Sequence, residues 1–156
     1  MKPGTDSPGI IFPPPLVYVI FAFIGGLLNN IFPLGLGIEA PLNLWLAGIF
    51  ILLLAGFMIY MEVLFLLKET NPFPWKPANA LITDGPYAWS RNPIYVAMML
   101  IHIAGAFYYN SFWPLFTAAF TVAIMNRFII PREEKHLEAK FGTEYIRYKS
   151  RVNRWI

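Results

Sequence analysis

The sequence predicts an all-α fold: a polytopic integral membrane protein with about four transmembrane helices and a cytosolic C-terminal helical tail. Three observations carry this. Of 156 residues, 57% are hydrophobic and only 13% charged, too apolar a balance for a soluble domain of this size. Apolar runs at 16–32, 42–67, 94–109 and 112–130 approach or exceed the roughly 20 helical residues that a hydrocarbon core requires. The 12 Lys and Arg residues fall in the N-terminus, the 68–93 loop, the C-terminal tail or the inner end of the fourth run, and none falls in 33–41 or 110–111. The positive-inside rule then places both termini and the 68–93 loop in the cytosol.

Taken in chain order, each element has its own justification. The opening MKPGTDSPGIIFPPP has no apolar stretch followed by a small-residue cleavage site, and Pro13, Pro14 and Pro15 interrupt any signal helix, so the first span is expected to be retained. PLGLGIEAP is a short outer connection to the second span, which is longer than a bilayer is thick and so tilts or extends, bringing Glu62 to the inner interface. The loop KETNPFPWKPANALITDGPYAWSRN is rich in proline and aromatics. Irregular backbone near a bilayer survives only against protein or around a wet cavity, so a loop of this length points to a pocket. The third run is short for a full crossing, with Tyr108, Tyr109, Phe112 and Trp113 as its interfacial belt.

At the start of that third run, Asn92 is a favoured N-cap and Pro93 a favoured first helical residue, while Gly85-Pro86 makes a turn. Beyond the fourth run, Pro131 suits a first helical turn, Glu133 and Glu134 favour the positive end of the dipole, and Gly142 stops the helix. Thr143 is then placed to cap a second, basic amphipathic helix of the kind that lies on a membrane surface. No repeat or low-complexity linker divides the chain. It reads as one domain over 1–156, comprising a two-span hairpin (1–67) followed by a binding loop, two spans and the tail (68–156).

Several chemistries are excluded at once. The chain has no cysteine, so disulfides, thiolate nucleophiles and Cys-ligated metals are absent. His102, midway along the third run, has no nearby ligand partner in sequence, so no metal site is expected, and a packing role competes with a catalytic one. The net charge of +3 is accounted for by topology and anionic lipid, which leaves no reason to expect a nucleic-acid partner.

The informative charges are Arg127, costly within the last turns of the fourth span, and Glu134, seven residues on. If the helix runs through Pro131, the two share a face. Arg91, Asn92 and Tyr95 would form the opposite wall of one groove. Such a groove suits a zwitterionic, cationic ligand: arginine or helix N-terminal amides for a carboxylate, Glu133 or Glu134 for an ammonium, Tyr87 or Trp89 for a sulfonium. S-adenosylmethionine carries all three groups, although other amino-acid-like or phosphate-bearing ligands fit the same physics.

The stretch NALITDGPYAWSRNPIY, followed by EEKHLEAKFGTEYIRYKSRVNRWI, resembles the isoprenylcysteine carboxyl methyltransferase family and its phospholipid N-methyltransferase relatives. The shared pattern is a G-x-Y turn, R-[HN]-P-x-Y, E-E-x-x-L and F-G-x-x-Y-x-x-Y, covering roughly residues 70–156. The resemblance implies a cytosolic S-adenosylmethionine site without a Rossmann domain, with cofactor contacts from Asn79, Leu81, Tyr87, Arg91, Asn92, Pro93, Tyr95, Glu133, Glu134 and Leu137. Asn92 and Asn79 stand where the eukaryotic enzymes have histidine.

The reading that follows is a methyltransferase acting on a lipophilic or lipidated acceptor taken from membrane lipid, a prenylcysteine-like carboxylate first. Arg127 would be the acceptor-side residue, with Glu133, Glu134 or Glu62 as the base if the acceptor is an amine or thiol. Compactness suggests a prokaryotic inner membrane. Phospholipid or small amine and thiol methyl transfer, an NADPH-dependent sterol reductase relative, and a non-catalytic four-helix membrane module are the alternatives.

Overall fold

The computed structural model describes residues 13–70 and 80–156, and within them the chain is helical, with no β-strand and a single isolated bridge between Gly35 and Ser111. Helix α1 runs Pro14–Ile31, and prolines sit in its first turn, where a missing N–H costs nothing. Helix α2, Leu42–Leu67, has 26 residues. Helices α3 (Pro93–Met98) and α4 (Leu100–Tyr108) are one apolar rod interrupted at Met99. Helix α5, Trp113–Ile124, passes through a π turn, Met125–Ile129, into α6, Ile130–Phe141. Gly142, at φ 54°, ends α6, and α7 follows at Thr143–Lys149. Among the described residues, three helices are long and apolar enough to cross a membrane: Pro14–Ile31, Leu42–Leu67 and the continuous Trp113–Phe141 of 29 residues. The rod Pro93–Tyr108 is apolar but shorter.

Helix α1 packs on α5 and α4, and α2 packs on α4. The α1–α5 contact depends on Gly25, where an added Cβ would lie 2.6 Å from Pro114 Cα. On α2, by contrast, Asn43, Ala47, Met61 and Phe65 are buried and most of the remaining side chains face outward. At the outer end the 32–41 connection is braced against the α4–α5 turn. The Ile38 N–H donates to Asn110 Oδ1 (3.2 Å) and Asn110 Nδ2 donates to the Ile38 carbonyl (3.0 Å). The Phe112 N–H reaches the Leu34 carbonyl at 2.9 Å. Both hairpins are thereby clamped at one end, which fixes their relative position at the other.

The core lies toward that other end, where Val17 and Tyr18 of α1 meet Tyr95 and Met98 of α3 and Met125, Ile129 and Ile130 around the π turn. Tyr18, fully buried, donates its hydroxyl to the Tyr95 carbonyl at 2.9 Å. His102 is a helix link. Its Nδ1 lies 2.9 Å from the Pro114 carbonyl, which can only accept, so Nδ1 carries the proton; Nε2, 2.9 Å from Thr121 Oγ1, then accepts from that hydroxyl. Both ring nitrogens are satisfied within the α4–α5 contact.

One open point is decided and two local expectations are corrected. Pro131 stands in the first turn of α6 as expected, and the helix of the fourth span runs on through it. Proline removes an N–H and crowds the carbonyl four residues back, that of Arg127, and the π turn opens the helix at that carbonyl. Asn92 occupies the N-cap position of α3 but makes no capping bond, because its side chain is spent elsewhere. Thr143 is the first residue of α7 and not its cap, a position Gly142 takes.

Candidate functional site

Three elements converge beyond the core: the turn leading into α3, the first turns of α6, and the last residues of the chain. The 3₁₀ turn Gly85–Ala88 begins at Gly85, whose φ of 56° favours glycine. It packs on α2, with Ile82 and Tyr87 against Met61 and Phe65, and the Tyr87 and Phe65 rings meet edge-on at 6.2 Å. From α7, Tyr148 donates its hydroxyl to the Tyr87 carbonyl at 2.8 Å. Arg91, Asn92 and Tyr95 are in this way presented from a turn held on two sides.

Arg91 Nη2 lies 3.2 Å from Glu134 Oε1, and both side chains are buried, 10% and 8% exposed. Glu134 is further shared by Arg154, through Nε to Oε1 (3.0 Å) and Nη2 to Oε2 (2.8 Å), and by Lys149 at 3.6 Å. The forked Arg154 pair is the strong bidentate geometry, and the carboxylate holds that guanidinium protonated above its ordinary range. Glu133, one residue earlier, points elsewhere: Tyr95 donates its hydroxyl to Glu133 Oε1. Burial, with the Glu133 carboxylate adding to it, pushes the Tyr87 phenol well above its ordinary value. Burial, with Glu134 adding, pushes Tyr145 up to about 12, and burial raises Tyr148 too. These phenols are therefore hydrogen-bond donors at any physiological pH.

The adjacent glutamates thus have distinct environments. Glu134 is saturated by cations of the chain itself, so it is a structural hub, whereas Glu133 accepts from the Tyr95 hydroxyl, and a carboxylate has capacity for more than one donor. On Arg91, Nε and Nη1 find no hydrogen-bond partner among the described residues. Buried donors left unpaired are costly, and a carboxylate or phosphate of a ligand would satisfy them. A zwitterion with its anionic end on Arg91 and its cationic end on Glu133 fits this donor and acceptor set.

Of the residues expected at the site, Tyr87, Arg91, Asn92, Pro93, Tyr95, Glu133 and Glu134 are gathered here. Leu81 and Leu137 are half-buried, and Asn79 lies outside the described residues. Arg127 does not share the Glu134 face. The π turn inserts one residue into the helical register, so the residue that shares a partner with Glu134 is Asn126, eight positions earlier, which takes Arg154 Nη1 at 3.4 Å and the Trp155 indole N–H at 3.0 Å. Arg127 is exposed on the outer side, where it lines a shallow groove of about 500 Å³ with Ala123, Ile124, Asn126 and Phe128. Glu62 is also exposed, next to a buried Met61. Sequence reasoning missed Ser90, Asn126, Arg154 and Trp155. An asparagine beside Arg127 in an apolar run was the one available signal.

Fold and site together define a helical membrane protein with a buried arginine–carboxylate centre at one end of its bundle. Residues 42–144 match the family described as phospholipid methyltransferase, and the chain belongs to that family of membrane methyltransferases. This agrees with the resemblance carried by the R-N-P-x-Y and E-E-x-x-L motifs. An uncharacterized protein from Haemophilus influenzae is 36% identical over 63 residues, which cover 40% of this chain and 100% of that relative. No solved structure matches the chain.

Proposed function

We propose that this protein transfers the methyl group of S-adenosylmethionine to a lipophilic acceptor drawn from the bilayer. The convergence of Arg91 on Glu134, with Glu133 held by the Tyr95 hydroxyl and by no cation, is the observation that carries the reading. In this arrangement a single domain crosses the inner membrane four times, the short rod Pro93–Tyr108 included, and both termini and the 68–93 loop lie in the cytosol with the site.

When bound, S-adenosylmethionine supplies an electrophilic methyl on a sulfonium. Arg91, whose Nε and Nη1 lack partners, would hold the carboxylate, and Glu133, beside Tyr95, would hold the ammonium. The chain contributes alignment and exclusion of water, the two largest effects open to a site that forms no covalent bond with its substrate. A prenylcysteine-like acceptor brings a carboxylate that needs no base, and it must reach the sulfonium beside Glu133, away from Arg127 in its outward groove.

Membership of the phospholipid methyltransferase family favours a second acceptor, an amino lipid. Its nitrogen must lose a proton, and Glu133 takes it only in an arrangement where the ammonium of S-adenosylmethionine is held elsewhere. Glu134, held by three cations, does not take it.

The test offers purified protein radiolabelled S-adenosylmethionine with a membrane lipid extract in one arm and a prenylcysteine analogue in another, and measures binding of S-adenosylmethionine against NADPH. Label in either lipid fraction, and binding of the sulfonium alone, is the expected result. Glu133→Gln is expected to weaken S-adenosylmethionine binding at least about tenfold in a protein that unfolds as the wild type does. NADPH binding in place of the sulfonium, or full affinity in Glu133→Gln, refutes the reading.

A further inference from the structure

The last residues of the chain are stitched to every element of the site. The Arg91 N–H donates to the Asn153 carbonyl at 2.9 Å. The Arg154 carbonyl accepts from Asn92 Nδ2 at 2.9 Å and from the Ser90 hydroxyl at 3.3 Å. The Arg154 guanidinium forks onto Glu134, and its third nitrogen reaches Asn126 in the π turn. Trp155 packs on the core beside it. Residues 153–155 therefore join the start of α3, the π turn and α6 through polar bonds, where α1 joins them through apolar packing.

The charge balance gives this tether a purpose. Were Glu134 paired with Arg91 alone, the two would cancel and Arg91 would have little attraction left for an anion. Arg154 bonds both oxygens of Glu134, and Lys149 is paired more closely with Glu138, at 2.6 Å, so the one negative charge of Glu134 is divided chiefly between Arg91 and Arg154. Arg91 keeps net positive character and remains nine-tenths buried, with two of its donors unpaired. We propose that Arg154 is a positioning residue of the ligand site: acting through Glu134, it holds Arg91 as the receptor for the anionic end of the bound zwitterion. The proposal rests on the S-adenosylmethionine reading and adds to it a residue from outside the shared motifs.

The experiment measures equilibrium binding of S-adenosylmethionine and of its decarboxylated analogue to the full chain in detergent, for wild type, Arg154→Gln and Arg154→Lys, with thermal unfolding recorded for each. Loss of the fork is expected to weaken S-adenosylmethionine about tenfold or more in Arg154→Gln, and less in Arg154→Lys, which keeps the charge, while the analogue without a carboxylate binds all three proteins alike. If Arg154→Gln does not fold, Arg154→Lys decides the matter, because wild-type affinity there overturns the proposal. Equal weakening of both ligands also overturns it, since Arg154 would then act on the fold at large. Wild type that binds neither ligand refutes the cofactor reading itself, an outcome distinct from wild type that binds S-adenosylmethionine and variants that bind it equally well.

Discussion

Replacing Gly25 with alanine should drive α1 and α5 apart. The new Cβ would sit 2.6 Å from both Cα and N of Pro114 and 2.9 Å from the Trp113 carbonyl carbon, all backbone atoms that cannot rotate away. Carbon contacts settle at about 3.5–4.0 Å, so the helices must separate by about 1 Å. Overpacking of this kind costs about 1–3 kcal/mol. Here it should lie toward the upper end, because the Pro114 carbonyl is fixed by bonds from both His102 and Thr117. Gly48 provides the control. It sits in α2 with nothing within 4 Å, so alanine there keeps the contacts and gains helix propensity worth up to about 1 kcal/mol. Unfolding of both variants in mild detergent, by heat or by titration with a denaturing surfactant, should separate them by about 2 kcal/mol or more. The same displacement strains the bond from Tyr18 to the Tyr95 carbonyl, so ligand affinity should fall in Gly25→Ala as well. A Gly25→Ala protein as stable as Gly48→Ala would refute the close α1–α5 contact and the packing scheme built on it.

Two further outcomes are expected from single changes. Glu134→Gln leaves the guanidiniums of Arg91 and Arg154 facing each other without a counter-charge, and removing one partner of a buried pair costs about 3–5 kcal/mol, reduced here because Arg154 and Lys149 are about one-third exposed. Thermal unfolding should therefore show a large loss for Glu134→Gln and a small one for Glu133→Gln; equal losses would contradict the division of roles between the two glutamates. His102→Leu removes two interhelical bonds, and since such bonds within membranes average below about 1 kcal/mol, a modest loss of stability is expected with methyl transfer per folded molecule unchanged. Abolished turnover in a stable His102→Leu protein would give the ring a chemical role.

The parts of this fold that sequence could reveal are those whose cause is local. The second span matches its expected bounds because its composition is apolar from end to end, and the R-N-P-x-Y and E-E-x-x-L segments meet because a short turn makes α4 and α5 antiparallel. The assignment of Arg127 to the Glu134 face failed because helical periodicity assumes a constant register, and the π turn ahead of Pro131 adds a residue to it. Asn92 was misjudged for a related reason: N-cap preference is a statement about neighbours in sequence, while its amide is held by the carbonyl of Arg154, 62 positions away. The docking of the C-terminus on the site is likewise long-range, and an Arg-Trp pair in a basic tail looks locally like a surface anchor.

The unequal lengths of the helices bear on how the surrounding lipid is shaped. At 1.5 Å per residue, α2 extends about 39 Å while Pro93–Tyr108 reaches about 24 Å. In the four-crossing arrangement the bilayer meets α2, most of whose side chains face outward, and hardly touches the rod, where residues 93–107 are all buried or half-buried. Lipid then adapts to the 26-residue helix, by thickening or by tilt of the bundle, and the short rod is shielded from that mismatch.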